Sequence, residues 1–324
     1  MATYNPVLML VFNRPDTTLK VFEAIRAAKP PELYIASDGA RKTKAGEIQA
    51  VDEVRKICSQ VDWPCIVKTR YLEENQGCRV AVSGALDWFF EQVEQGIVIE
   101  DDVLPTPAFF EFCDEMLEKY KDDPKVFSVV GNNLVEPWYQ AEHSYFFSRV
   151  FFVWGWASWR RAWKFYDVNM NTWPNTVKEL NKSPIMPVNK IDRIYWNLVF
   201  DLTYTRQIGT CWGHQWTYAH WANNALAVTP ATNLITNLGF GVGATHTSGG
   251  MPTYMKRLKT TDVFQSGDIR PEIKDDEHYY DAMSRIVLGI APITLFRLWL
   301  RRFPALFSKL KKLSNLYREW RASA

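Results

Sequence analysis

Long apolar runs, paired cysteines and surplus charge of one sign are all scarce in this sequence. The apolar run nearest the start, Val7 to Phe12, is far too short for a membrane span, and Met1 to Asn5 lacks the basic stretch of a secretory leader. Folding is therefore expected to begin at the first strand. The five cysteines, Cys58, Cys65, Cys78, Cys113 and Cys211, are odd in number and show no CxxC or other metal spacing, which fits buried thiols in a reducing cytoplasm. A net charge of only +2 gives no electrostatic reason to expect nucleic acid as a partner. No internal repeat or low-complexity stretch interrupts the 324 residues, which are enough for one large domain or two smaller ones. What the chain has in excess is aromatic residues, 15% of the total with 14 Trp, so a Trp-rich core is expected. A few of these rings, Trp154, Trp156 and Trp216 among them, are also candidates to line a sugar site.

The first hundred residues alternate between strand and helix signals. Pro6 to Phe12 is apolar throughout, as a fully buried parallel strand is, and Asn13-Arg14-Pro15-Asp16 ends it. Thr17 to Ala28 predicts a helix with Leu19, Phe22 and Ile25 inward. Further strands are expected over Glu32 to Ala36, Cys65 to Tyr71 and Gly96 to Ile99, with helices over 46–58 and 80–92 between them. Such alternation predicts an α/β protein with a mainly parallel sheet flanked by helices.

Polar residues recur where these strands end, at the sheet edge where open α/β folds bind ligands. Arg14 follows the first strand and can pair with a phosphate in two-pronged fashion. Asp38 follows the second and can accept an imide or ribose hydrogen, and the turn of Asn75, Gly77 and Arg79 can approach a diphosphate closely. The fourth strand ends in Glu100-Asp101-Asp102, a hard oxygen cluster suited to Mn²⁺ or Mg²⁺.

Glu100-Asp101-Asp102, the Pro105-Thr106-Pro107 turn and the Phe109-Phe110-Glu111 helix together resemble the nucleotide-sugar-dependent glycosyltransferases of the GT-A (Rossmann-like) fold. The branch in question includes the Golgi N-acetylglucosaminyltransferase I and bacterial polysaccharide-assembly enzymes. The resemblance runs from about Pro6 to about Thr247. It implies a nucleoside diphosphate sugar donor, uridine-linked, with Arg14 and Asp38 as nucleotide contacts and Asp102 as the direct ligand of Mn²⁺ or Mg²⁺. It also implies that Glu100 and Asp101 contact the donor, Asp101 at the sugar or ribose, and that the Trp154-Gly155-Trp156 segment lies under the donor sugar.

In the second half, a strand near Val129 to Asn133 and a Trp cluster with Trp159 and Trp163 are expected to anchor the chain on the sheet. Asn169 to Asp192 reads as a polar surface excursion of the kind that forms lids or acceptor sites. At Cys211-Trp212-Gly213-His214, relatives carry Trp-Asp with the Asp as base; here position 213 is glycine, so His214 is the candidate catalytic base beside Asp101. Gly239-Phe240-Gly241 and the block to Thr247 look like the bacterial branch, and His246 is a candidate second metal ligand or a loop pin.

The expected division is 1–128 for the donor half, 129–290 for the acceptor half and 291–324 for a basic amphipathic helical tail. From Arg297 onward the tail is net +7, against −5 for the rest of the chain. Its apolar stripe with basic flanks suits an anionic membrane surface, the favoured reading, while the same stripe allows a helix packed on the domain or in a coiled-coil dimer. The function these features imply is transfer of a sugar to a saccharide or lipid-linked saccharide hydroxyl. Its expected setting is bacterial surface-polysaccharide assembly, at the inner face of the cytoplasmic membrane. The alternatives are a sugar nucleotidyltransferase, although Asn13-Arg14-Pro15 is not its Gly-rich loop, and a weakened nucleotide- or carbohydrate-binding relative.

Overall fold

The computed structural model describes residues 2–206, 212–240, 251–265, 267 and 270–303. β1 (Val7–Val11) leads to α1 (Pro15–Ala28), β2 (Glu32–Ser37) to α2 (Glu47–Cys58), β3 (Ile66–Tyr71) to α3 (Cys78–Phe90), and β4 (Gln95–Glu100) delivers the acids. All of β1 is buried, and its side chains alternate between two cores: Val7, Met9 and Val11 enter one, Leu8 and Leu10 the other. Burial on both faces is why the strand reads as a continuous apolar run. In α1 the inward stripe is Thr18, Val21, Phe22, Ile25 and Ala28. Leu19 falls outside that stripe and is exposed, contrary to expectation.

The chain continues through β5 (Val103–Pro105), α4 (Pro107–Lys119), β6 (Val126–Val130), β7 (Tyr145–Ser148), β8 (Trp156–Trp159) and α5 (Arg160–Trp163). Then come α6 (Trp173–Leu180), α7 (Lys190–Tyr204), α8 (Gly213–Ala222), β9 (Leu226–Pro230), β10 (Ile235–Asn237), α9 (Glu277–Ala282) and α10 (Pro292–Leu300). Eight strands form one sheet in the order β3-β2-β1-β4-β8-β6-β9-β7. β3, β2, β1 and β4 run parallel, β8 is antiparallel to both its neighbours, and β6 and β9 are again parallel. This is the Rossmann-like, mainly parallel sheet that the alternation predicts. β5 and β10 pair as a separate antiparallel ribbon just beyond the acids.

Residues 169–192 are less of a surface excursion than their polarity implies. Pro174 sits in the first turn of α6, and Trp173, Leu180, Ile185 and Met186 are buried. Trp173 meets Phe200 and Tyr218 edge to face, so a few apolar residues anchor an otherwise polar segment.

The aromatic excess is mostly core. Trp156, Trp163, Trp212 and Trp216 pack together at ring-centroid separations of 5.0–6.3 Å. Behind them lies a closed polar ring: Trp216 Nε1 donates to Ser128 Oγ (3.1 Å), which lies 3.0 Å from His220 Nε2, while His220 Nδ1 lies 2.9 Å from the Trp216 carbonyl. A carbonyl can only accept, so Nδ1 carries the proton and Nε2 accepts from the serine. Burial pushes the His220 pKa from 6.5 down to about 3.

The unfolded chain takes up a proton on this residue near pH 6.5 and the native chain resists until about pH 3. Its contribution to stability is therefore complete above pH 6.5 and is lost as pH falls toward 3. Thermal unfolding followed from pH 7.5 to 4.5 is expected to show this decline, and His220→Phe to flatten it whatever its effect on absolute stability. An unchanged slope in the variant would show that the acid sensitivity arises elsewhere.

Candidate functional site

Two cavities open where β1, β2 and β4 end. The first, about 160 Å³, has an apolar side made by Leu10, Ala36, Ala81, Val82 and Ala85 and a polar side carrying Arg14, Arg41, Arg70, Asp38, Glu100 and Asp101. The second, about 360 Å³, lies between Phe151–Trp154, Tyr195, Trp196, Trp212, Gly213, His214 and Thr217, with Asp102, Asn237 and Gly239 at one end. Arg14, Cys78 and Glu100 line both, so the cavities meet at the acid edge.

Arg14 precedes α1 and reaches across to β4. Its Nη1 lies 3.4 Å from Asp101 Oδ1 and forms a short ion pair with Asp102 Oδ2. Burial disfavours its charge, but the two carboxylates more than offset that, and its pKa stands above its ordinary value. Asp101 is buried and also accepts from the backbone N–H of Phe12 (2.9 Å), so it ties the end of β1 to Arg14. Burial is likewise the chief reason that the Glu100 carboxyl is raised to about 8 and Asp101 to about 7, with Asp102 adding repulsion to both. Arg14 pulls in the opposite direction on each.

Asp102 is the more open of the two carboxylates paired with Arg14, and its backbone carbonyl accepts from Leu238 N (2.7 Å), which fastens the end of β10 to it. Among the described residues no group of three His, Cys, Asp or Glu side chains could hold an ion unaided. Asp102 and Glu100 line the same cavity, and one or two carboxylates are what a magnesium or manganese ion takes from a protein when phosphates supply the rest. The donor set thus fits an ion shared with a diphosphate and not a protein-only metal centre. His246 lies outside the described residues.

Asp38 stands at the first cavity, but its carboxylate is spent on the fold. Oδ1 accepts from Gly39 N and Gln76 N (both 2.9 Å), and Oδ2 from Asn75 Nδ2 (2.9 Å) and Gly77 N (3.0 Å). Four donors fill the carboxylate's four lone-pair sites, leaving none for a base imide or a ribose. The residue shapes the Asn75–Gly77 turn, where Gly77 has φ +78 and Gly39 approaches so closely that a Cβ would lie 2.4 Å from the Glu74 carbonyl carbon. Arg55 completes this scaffold from α2 by donating to Ser37 Oγ and to the carbonyls of Asp38 and Leu72.

Other expected contacts are displaced. Arg79 lines neither cavity; Arg41 and Arg70, not singled out in the sequence, do. Glu47 holds Arg41 in place, and mainly through that side-chain hydrogen bond the Glu47 pKa falls to about 2. Trp154 faces the second cavity, but Gly155 is buried against Ile235, Val103 and Phe109, and Trp156 and Trp216 belong to the Trp cluster, so none of these three can touch a sugar as placed. Asn132 donates to the carbonyls of Phe152 and Trp154 (2.8 and 3.1 Å) and shapes that wall from below. His214 lies in the cavity wall with Nδ1 3.4 Å from Thr203 Oγ1, and burial lowers its pKa to about 4, so it is neutral at pH 7.

No protein-family model and no curated protein matches this chain. Among solved structures, a UDP-glucose pyrophosphorylase complexed with UDP-glucose is similar over 50% of this chain and 78% of its own, at 9% identity and a TM-score of 0.31. The glycosyltransferase GlyE of Streptococcus pneumoniae TIGR4 is similar over 61% of this chain and 43% of its own, at 11% identity and a TM-score of 0.26. Scores this low carry no inference about activity.

Asp38→Asn places an amide donor against four donors. It is expected to destabilise the protein by about 1–3 kcal/mol, read by denaturant unfolding, and to weaken nucleotide binding only in proportion; a loss of affinity with unchanged stability would make Asp38 a direct contact. Asp102→Asn is expected to abolish the Mn²⁺-dependent part of UDP binding in calorimetry while the metal-free part, carried by Arg14, persists. Equal binding by the variant with and without chelator, at the strength the wild type shows in chelator, is the predicted loss of metal response; an undiminished response to Mn²⁺ overturns the assignment.

Proposed function

We propose that this chain is a glycosyltransferase that moves a sugar from a nucleoside diphosphate sugar, uridine-linked, to a hydroxyl of a saccharide. The observation that carries this reading is the meeting of two cavities at Arg14 and Glu100. One has apolar walls and three arginines suited to a nucleotide, the other has aromatic walls suited to a saccharide. The Glu-Asp-Asp resemblance to the N-acetylglucosaminyltransferase I branch agrees with it. A sugar nucleotidyltransferase would also seat a sugar beside the nucleotide, but Asn13-Arg14-Pro15 stands where its Gly-rich loop would be.

In this reading the apolar side of α3 receives the base, and Arg14, Arg41 and Arg70 face the phosphates. A divalent ion held by Asp102 and Glu100 would neutralise the departing diphosphate. Asp101 acts as a positioning residue: it fixes Arg14 and the end of β1 rather than touching the sugar. Trp154 and Tyr195 offer faces to the sugar and its acceptor.

Burial keeps His214 in its basic form at neutral pH, whereas Asp102 and Glu100, which line the same cavity, are committed to the ion in this reading. We assign the acceptor's proton to His214. Its low pKa makes it a weak base, so slow turnover is built into the site.

Incubation with UDP-sugars and Mn²⁺ is expected to release UDP slowly, and to do so faster with a saccharide acceptor. Formation of UDP-sugar from UTP and a sugar phosphate would establish the nucleotidyltransferase instead. His214→Ala is expected to lower turnover by ~10²–10⁴-fold with donor affinity preserved, and the acid limb of the wild-type rate profile to fall near pH 4 instead of 6.5. Gly213→Asp, adding a carboxylate base one residue away, is expected to raise turnover. No change with either variant would remove this segment from the chemistry.

A further inference from the structure

The last described helix carries an aromatic row that is about half exposed. On α10 and just beyond it, Ile293, Phe296, Trp299 and Phe303 recur at spacings of three and four and are 55%, 52%, 44% and 46% exposed. The rings touch one another: Phe296 and Trp299 stack with centroids 6.2 Å apart, and Trp299 and Phe303 lie 5.0 Å apart. The helix also packs on α7: Leu298 lies against the core, Leu300 is buried and Arg302 pairs with Asp201. The helix is thus held to the body of the protein while its apolar row faces outward.

Charge identifies what could cover this row. Arg297 and Arg301 are exposed along α10 and just after it, and from Pro292 to Ala324 the sequence has one acidic residue, Glu319, against eight basic ones. A second copy of this face would bring like charges together. An anionic lipid surface would meet aromatic rings at the level of its headgroups and cations at its phosphates.

No single described helix is long and apolar enough to cross a membrane. The pair Glu277–Val287 and Pro292–Leu300 passes that test only jointly, bent by 65°. Its first half is core: Tyr279, Tyr280 and Met283 are buried, and Asp275 and Glu277 clamp the buried Arg149. The second half is therefore free to lie on a bilayer, not to span one.

We propose that the outer face of α10 docks the protein on an anionic membrane, with Phe296, Trp299 and Phe303 entering the interface and the arginines engaging lipid phosphates. The inference does not depend on the reaction assigned above.

Co-sedimentation of the full chain with phosphatidylcholine vesicles, with and without phosphatidylglycerol, tests it. The wild type is expected to bind the anionic vesicles, and high salt to weaken that binding. Phe296→Ser/Trp299→Ser is expected to weaken it at least about tenfold, and Arg297→Glu to weaken it less, both with unfolding temperature and UDP binding unchanged. Lipids brominated in the acyl chain should quench a fluorescence component that Trp299→Phe removes. Undiminished binding by the double variant would assign docking to residues beyond 303 and overturn the role of this face. So would an unbound wild type that light scattering shows to be a dimer, with the variant a monomer.

Discussion

Three carboxyls in succession at the mouth of a buried strand repel one another and resist leaving water, and Arg14 is the group that makes their placement tolerable. One guanidinium, itself half-buried, serves Asp101 on one side and Asp102 on the other. Through Asp101 the same interaction reaches the backbone of Phe12, so the ends of the two central strands are held by charge as well as by ladder hydrogen bonds. Glu100 is left with the weakest compensation, and its raised pKa is the sign of it. A cation placed among these carboxyls would relieve repulsion that the fold alone leaves in place.

Much of the first half was legible because its strands are buried on both faces and its helices are bounded by Pro, Gly and acids. Continuous apolar runs such as Val7–Val11 admit few other readings at that length. The site was legible in outline for the same reason, since strand ends are where ligand groups gather. Its errors are errors of direction. A sequence names Asp38 but not the four donors that surround it, and it names Trp156 but not the three tryptophans that bury it. Arg41 and Arg70 were hidden for the converse reason: they stand in polar stretches that look solvated, and only tertiary packing turns them toward the cavity.

The second half was harder because aromatic residues do several jobs with one appearance. Rings that fill the core, line a cavity or face outward all read as apolar in sequence, and Trp156, Trp154 and Trp299 do these three things in turn. The polar residues beneath them sort the cases. Asn132 holds the wall that exposes Trp154, and Ser128 with His220 closes the interior around Trp216.

Gly239 carries one more consequence. Its φ is not in the left-handed region, so backbone conformation does not demand glycine there; space does, because a Cβ would lie 2.0 Å from Asp102 Oδ2. Any larger residue would drive the acid off Arg14. Two positions far apart in the chain are therefore not free to drift independently in evolution: a lineage that enlarged residue 239 would have to shorten or move residue 102 as well. Covariation between these positions would be the mark of that bargain in a set of homologous sequences.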